Sequence, residues 1–235
     1  MNKFHLSHKG LLSSIALAFS LFFTLGSTAM QAQDGSEFAG GNGTEENPWQ
    51  IATKQQLAAI DKYVGDAGKG KYFILTQDLD FTDDFSRSGA FYNDGKFWKP
   101  IGSEWESYSF QGTFDGGNHE IIGLRVNSDN YNSGLFGFIQ RATIKNLTVS
   151  YGKVNVQKFG GIACEVDNSV IENCHVKCDE DYGITLIDAH GGPNGGGLIC
   201  FGHGETVYVI DSSFKGNLKY DGYGYGYIGG LVGRG

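Results

Sequence analysis

Ile144-Lys145-Asn146-Leu147-Thr148-Val149 returns 27 residues later as Ile171-Glu172-Asn173-Cys174-His175-Val176, and this pair of stretches decides the fold. Apolar and polar positions alternate along each, so Leu147 and Val149 are expected inside while Lys145 and Thr148 face water. A third copy, Ile210-Asp211-Ser212-Ser213-Phe214-Lys215, and an earlier relative, Ile121-Ile122-Gly123-Leu124-Arg125-Val126, extend the series. Measured at Leu124, Leu147, Cys174 and Ser213, the intervals are 23, 27 and 39 residues. A second word runs beside the first: Gly134-Leu135-Phe136-Gly137, Gly161-Ile162-Ala163-Cys164, Gly197-Leu198-Ile199-Cys200 and Gly230-Leu231-Val232-Gly233, with first glycines 27, 36 and 33 residues apart. Periods of this size mean a stacked repeat. The words are too short, β-branched and Gly-rich for helical repeats, and the shorter spacings are too small for a four-stranded propeller blade. The expectation is an all-β solenoid whose turns stack at ~4.8 Å. Leu147 and Cys174 then become neighbours inside, with Asn146 and Asn173 paired at the bend. Extra residues are expected to bulge as loops, the longest from Asp179 to Asn194 and from Lys219 to Tyr227.

Composition agrees with this reading. Among 235 residues there are 37 Gly and only three Pro, yet 40% are hydrophobic and 14% aromatic, enough for a packed core. A net charge of −8 argues against a general nucleic-acid binder, which relies on clustered Lys and Arg. The amino end has the three-part layout of a secretory signal peptide: Lys3 and Lys9, an apolar run from Leu11 to Leu25, then small residues to Ala29 and Ala32. Residues 1–32 are therefore expected to be removed, with cleavage after Ala32 favoured over Ala29. That loss takes two Lys and no acids and leaves the mature chain at −10. No later segment is long and apolar enough to span a membrane as a helix.

Residues 33–48 are polar and Gly-rich and read as a flexible leader. Residues 49–97 read as an N-terminal cap. Within it Trp49-Gln50-Ile51 and Tyr72-Phe73-Ile74-Leu75 are strands, and 53–64 is a helix. Thr53 offers the N-cap, Gln56 its capping-box partner, and Leu57, Ile60 and Val64 one apolar face. Residues 98–235 carry the repeats.

The words Gly230-Leu231-Val232-Gly233-Arg234 and Ile171-Glu172-Asn173-Cys174 resemble the GLUG-motif repeats of secreted bacterial proteins. The stretches Gly43 to Ile51, Trp98 to Gly102 and Phe110 to Gly116 also resemble the N-terminal part of such proteins. The resemblance implies a right-handed parallel β-helix displayed outside the cell. Some relatives carry these repeats beside a zinc peptidase domain. His203-Gly204-Glu205 is the nearest approach here to that motif, and it lacks the second His, so peptidase activity is not carried over.

Candidate chemistry is sparse. The repeat alignment puts Cys164, Cys200 and Cys174 in core slots, where a thiol acts as a small hydrophobe; a Cys164–Cys200 bridge between neighbouring turns is the alternative. Cys174, His175 and Cys178 are too few for a zinc site. Asp78, Asp80, Asp83 and Asp84 crowd one turn and could hold Ca²⁺, and Asp179, Glu180 and Asp181 open an insertion. Solvated turns are the simpler reading of both. No cofactor is expected. His119, His190 and His203 sit beside Gly-rich turns and read as exposed loop residues. Tyr220, Tyr223, Tyr225 and Tyr227, spaced by glycines, form a candidate ligand-binding surface.

These features point to an exported, non-catalytic β-helix module for adhesion or for binding a surface glycan or protein. Two alternatives remain: a parallel β-helix enzyme acting on carbohydrate, lyase or hydrolase, with acids from the insertions, and a structural spacer. The fourth Gly word has no Ile-x-Asn partner after it, so the carboxyl end is expected to be open. That implies end-to-end self-association or a continuing C-terminal domain.

Overall fold

A computed structural model describes residues 37–103, 106–127, 132–178, 183–187, 192–223 and 225–235. The expected signal peptide and its two cleavage points lie outside these residues.

Among the described residues the protein is all-β, with one short α-helix, Lys54–Ala59. Its strands form sheets of nine, four, three and three strands, and the ladders between them are parallel. From Phe136 onward the chain visits the four sheets in one fixed order. Phe136–Gln140, Thr143–Tyr151, Val154–Val156 and Lys158–Gly160 make one rung. Ala163–Asp167, Val170–Cys178, Ile184–Ile187 and Asn194–Gly196 make the next. Ile199–His203, Tyr208–Ile210 with Ser213–Lys215, Leu218–Asp221 and Tyr227–Gly229 make the third, and Val232–Arg234 begins again on the first sheet.

The central register is the one the sequence spacing predicts. Ile171 lies opposite Ile144, Cys174 opposite Leu147 and Val176 opposite Val149, all at 1% exposure or less. Extended downward, the first of these pairs joins a single interior column of Phe73, Phe114, Ile144, Ile171 and Val209. Each large aliphatic or aromatic side chain so buried contributes roughly 1.5–3 kcal/mol. At the bend beside Leu147, Asn146 and Asn173 adopt φ of 53° and 49°, a left-handed conformation that Asn tolerates better than most residues. Asn173 Nδ2 donates to Asn146 Oδ1 at 3.0 Å, and Asn146 Nδ2 donates to Asp115 Oδ1 at 3.1 Å.

Two flanking alignments differ from expectation. In the third copy Val209 lies opposite Ile171 and Phe214 opposite Val176, one residue earlier than the sequence alignment. Asp211, not Ser212, takes the left-handed corner at φ 47°. A one-residue slip exchanges faces, so Val209 and Phe214 pack on the core while Ile210 is 42% exposed. The earlier copy, Ile121 to Val126, follows a turn and sits further along the rung. Thr113–Asp115 pairs with Thr143–Lys145, whereas Leu124 lies opposite Tyr151 and not Leu147.

The predicted loop Lys219–Tyr227 is also corrected. Leu218–Asp221 is a strand in register with Ile184–Ile187, and Tyr227–Gly229 one in register with Asn194–Gly196. Of the other long insertion, Ile184–Ile187 is a strand on Val154–Val156, and 179–182 and 188–191 lie outside the described residues.

Aromatic rings close the amino end. Phe38, 1% exposed, stacks on Trp49 with centroids 5.2 Å apart and meets Phe73 edge-on at 5.7 Å. The backbone follows: Ala39 N–H donates to Gln50 O and Gln50 N–H to Gly40 O, both at 2.9 Å. Residues 37–48 are therefore packed rather than a flexible leader, because one buried aromatic anchors an otherwise polar stretch. The helix forms its capping box as expected, Gln56 N–H donating to Thr53 Oγ1 and Thr53 N–H to Gln56 Oε1. It then tightens to a 3₁₀ turn over Ile60–Lys62 and ends short of Val64.

The glycine words also have a steric test. Gly196→Ala would set a methyl 2.0 Å from the Ile199 carbonyl oxygen, whereas nothing lies within 4 Å of a Cβ on Gly230. Urea unfolding should show Gly196→Ala destabilised by about 1–3 kcal/mol and Gly230→Ala close to neutral. Equal effects would refute the close approach.

Candidate functional site

The site grows from that close approach. Gly160, Gly196 and Gly229 share one register column. A Cβ on them would stand 2.0, 2.0 and 1.7 Å from the carbonyl oxygens of Ala163, Ile199 and Val232, three residues further on. Beside them, Gly161 and Gly197 meet the carbonyls of Gly197 and Gly230 in the following rung, at 2.4 and 2.3 Å from a Cβ. Only glycine lets the strand before this corner fold back so sharply toward the strand after it.

The fold-back brings two outer columns face to face. Lys158, Asn194 and Tyr227 precede the corner by two residues, in register with one another. Glu165, Phe201 and Arg234 follow it, also in register. Lys158 Nζ lies 5.2 Å from the Phe201 ring centroid and 4.0 Å from Glu165 Oε1. His203 stacks on Phe201 at 6.1 Å between centroids, and its Nε2 is 3.5 Å from Glu165 Oε2. The Arg234 guanidinium sits 4.8 Å over the Tyr227 ring. An open groove of about 450 Å³ results, lined by Lys158, Glu165, Phe201, His203 and Arg234. That volume lies within the usual range for small-molecule sites.

Glu165 is the notable group. Its side chain is only 18% exposed, yet neither Lys158 Nζ at 4.0 Å nor His203 Nε2 at 3.5 Å makes a hydrogen bond to it. Acceptor lone pairs are thus held in a sheltered place, ready for hydroxyl or amine donors. Asp167, next on that face, is already engaged, accepting from Gln140 Nε2 at 3.0 Å and Asn168 Nδ2 at 2.9 Å.

The sequence-predicted candidates divide. Tyr223 and Tyr225 are fully exposed on the segment between two strands, at 102% and 98%. Tyr227 reaches the groove through Arg234, while Tyr220 is half-buried, opposite Leu186 and packed on the core. The four therefore do not form one surface. Cys164 and Cys200 lie side by side in adjacent strands, fully buried free thiols like Cys174 and Cys178. Burial, and then the neighbouring Cys200, push the Cys164 thiol well up, and burial pushes Cys174 up to about 12. His175 is occupied, its Nδ1 2.9 Å from Ser213 Oγ and its Nε2 3.2 Å from Asn173 Oδ1.

The acidic turn does not converge on one point. Asp78 Oδ1 accepts the Glu120 N–H at 2.9 Å and faces His119 Nδ1 at 3.2 Å. The first of these bonds holds the Asp78 carboxyl below its ordinary range. Asp80 Oδ1 accepts from the Thr82 hydroxyl and N–H, which lowers it likewise. Asp84 pairs with Lys54, and Asp83 is exposed. Among the described residues no group of three or more His, Cys, Asp or Glu is placed to hold a metal. Asp179, Glu180, Asp181 and His190 lie outside the described residues.

His203, read from sequence as a loop residue, ends a strand and faces Glu165. Lys158, Glu165, Phe201 and Arg234 were not singled out by sequence at all. The usable signal was their constant offset from the glycine pairs.

No protein-family model matches the chain. Over 126 residues, 53% of the chain, it is 34% identical to a protein of Evansella cellulosilytica named as a candidate Gly-rich membrane protein. Over 136 residues, 57% of the chain, it is 29% identical to a Haloquadratum walsbyi protein named halomucin. The aligned parts are 13% and 1% of those relatives' lengths. A crystal structure from Bacteroides ovatus, of a candidate immunoglobulin A1 protease, superposes with a TM-score of 0.53 at 19% identity. It covers 85% of this chain and 65% of that one. At that identity the likeness is one of fold. Among the described residues no helix is long and apolar enough to cross a membrane.

Thiol counting tests the cysteine environment. The purified protein, handled without reductant, should react negligibly with Ellman's reagent when native and release four thiols in denaturant. Two would mean that Cys164 and Cys200 are bridged.

Proposed function

We propose that the chain is an exported, non-catalytic display module: a right-handed parallel β-helix of the kind the GLUG-like words imply, binding a glycan or protein ligand at a cell surface. The repeated order of the four sheets supports the helical winding. One observation carries the binding role. The glycine corner gathers two cations, the Phe201 ring, a His and a sheltered carboxylate from three successive rungs into one groove, with the Tyr227 ring against Arg234. A ring, cations along the wall and a carboxylate with no hydrogen bond among the described residues suit a polyhydroxylated ligand: the exposed ring surface packs on its C–H groups, and Glu165 accepts from its hydroxyls. The names of two relatives, a Gly-rich membrane protein and halomucin, support the location.

A glycan-array and cell-binding comparison tests this reading. The double variant Phe201→Ala, Tyr227→Ala should retain the wild-type unfolding midpoint and lose at least about ten-fold in capture, the scale of one lost stacking or hydrogen-bonding anchor. Undiminished capture would remove the groove from the binding role. Cleavage of an acidic polysaccharide by the purified protein would replace this reading with the enzymatic one.

A further inference from the structure

Resting on the groove reading above, we propose that the ligand is a linear acidic glycan lying along the stacking direction, one sugar to each rung, with its carboxylates on Lys158 and Arg234. Direction comes from the register. The lining rises through successive rungs as Lys158 and Glu165, then Phe201 and His203, then Arg234 over the Tyr227 ring. Successive rungs are ~4.8 Å apart, roughly the length of one pyranose residue. A polymer with that repeat meets equivalent positions along the groove, whereas a compact molecule meets only one rung.

Charge class comes from the local balance. The whole chain carries −8, yet the described groove lining includes two cations, Lys158 and Arg234, and one acid, Glu165, with His203 as a further group that can gain charge. Asp167, the next acid on that face, is tied to Gln140 and Asn168. Both cations lie over rings, which holds them at the groove wall rather than free in solvent. The cations are set at the first and third rungs, so they match carboxylates on alternate sugars. Glu165, on the first rung, is left to meet hydroxyls.

Calorimetric titration of the purified protein with a matched set of probes tests the proposal: a β-1,4-glucuronan tetrasaccharide, cellotetraose, which differs only in lacking the carboxylates, and glucuronic acid. The tetrauronate should bind at least about ten-fold more tightly than cellotetraose, and more tightly than the monosaccharide by a larger factor. Lys158→Gln and Arg234→Gln should each weaken the tetrauronate about ten-fold and leave cellotetraose unchanged. Equal binding of cellotetraose would overturn the acidic class. If that binding vanished in Phe201→Ala, the groove itself would stand. A monosaccharide as tight as the tetrasaccharide would overturn the axial arrangement. No binding of any of the three would overturn this inference, while Phe201-dependent capture on the array would still uphold the groove.

Discussion

Everything in this protein rests on parallel rungs stacked in exact side-chain register. A strand two rungs up repeats the inward positions of the strand below, so Phe114, Ile144, Ile171 and Val209 bury one another continuously. Part of each rung's apolar face is covered by the rungs above and below it. That is why the amino end needs a cover. Phe38, Trp49, Tyr63 and Phe73 supply it, a cluster of rings within 4.6 to 6.2 Å of one another. The upper edge is different. Ile228 and Leu231 are 44 and 42% exposed there.

Stacking alone would give a smooth prism. The glycine columns add a concavity with cations, rings and a carboxylate in it. At Gly160, Gly196 and Gly229 a carbonyl occupies the place of the Cβ, and the strands on either side converge on their outer faces. Lys158 and Glu165 are seven residues apart in sequence, and Phe201 a further rung away, yet all three meet in the groove. The same constraint that shapes the fold therefore positions the candidate site. Each glycine word that stacks on the last lengthens both together.

The sequence revealed what has a period. The 27-residue offset placed Cys174 on Leu147 and Asn173 on Asn146, because apolar alternation and a left-handed Asn recur at fixed positions in both copies. Register failed where that signal was degenerate. Tyr208-Val209-Ile210 offers three apolar residues in a row, and only the fold shows that Val209 points inward. Packing of the leader hung on one residue, Phe38, inside an otherwise loop-like stretch. The tyrosine string drew notice by its composition, yet backbone pairing to Ile184–Ile187 and Asn194–Gly196 distributes its members among core, solvent and groove. The groove itself had no local motif, since Lys158, Phe201 and Arg234 come together only after the glycine corners close.

Cross-linking tests the register on which this account depends. Lys145 and Glu172 lie directly opposite each other on the outer face of adjacent strands, so Lys145→Cys with Glu172→Cys should form a disulfide rapidly under mild oxidation, at the ~4.8 Å spacing of paired strands. Lys145→Cys with His175→Cys, three residues out of register, should not. Efficient bridging of the mismatched pair, or none in the matched pair, would contradict the stacked register and with it the groove.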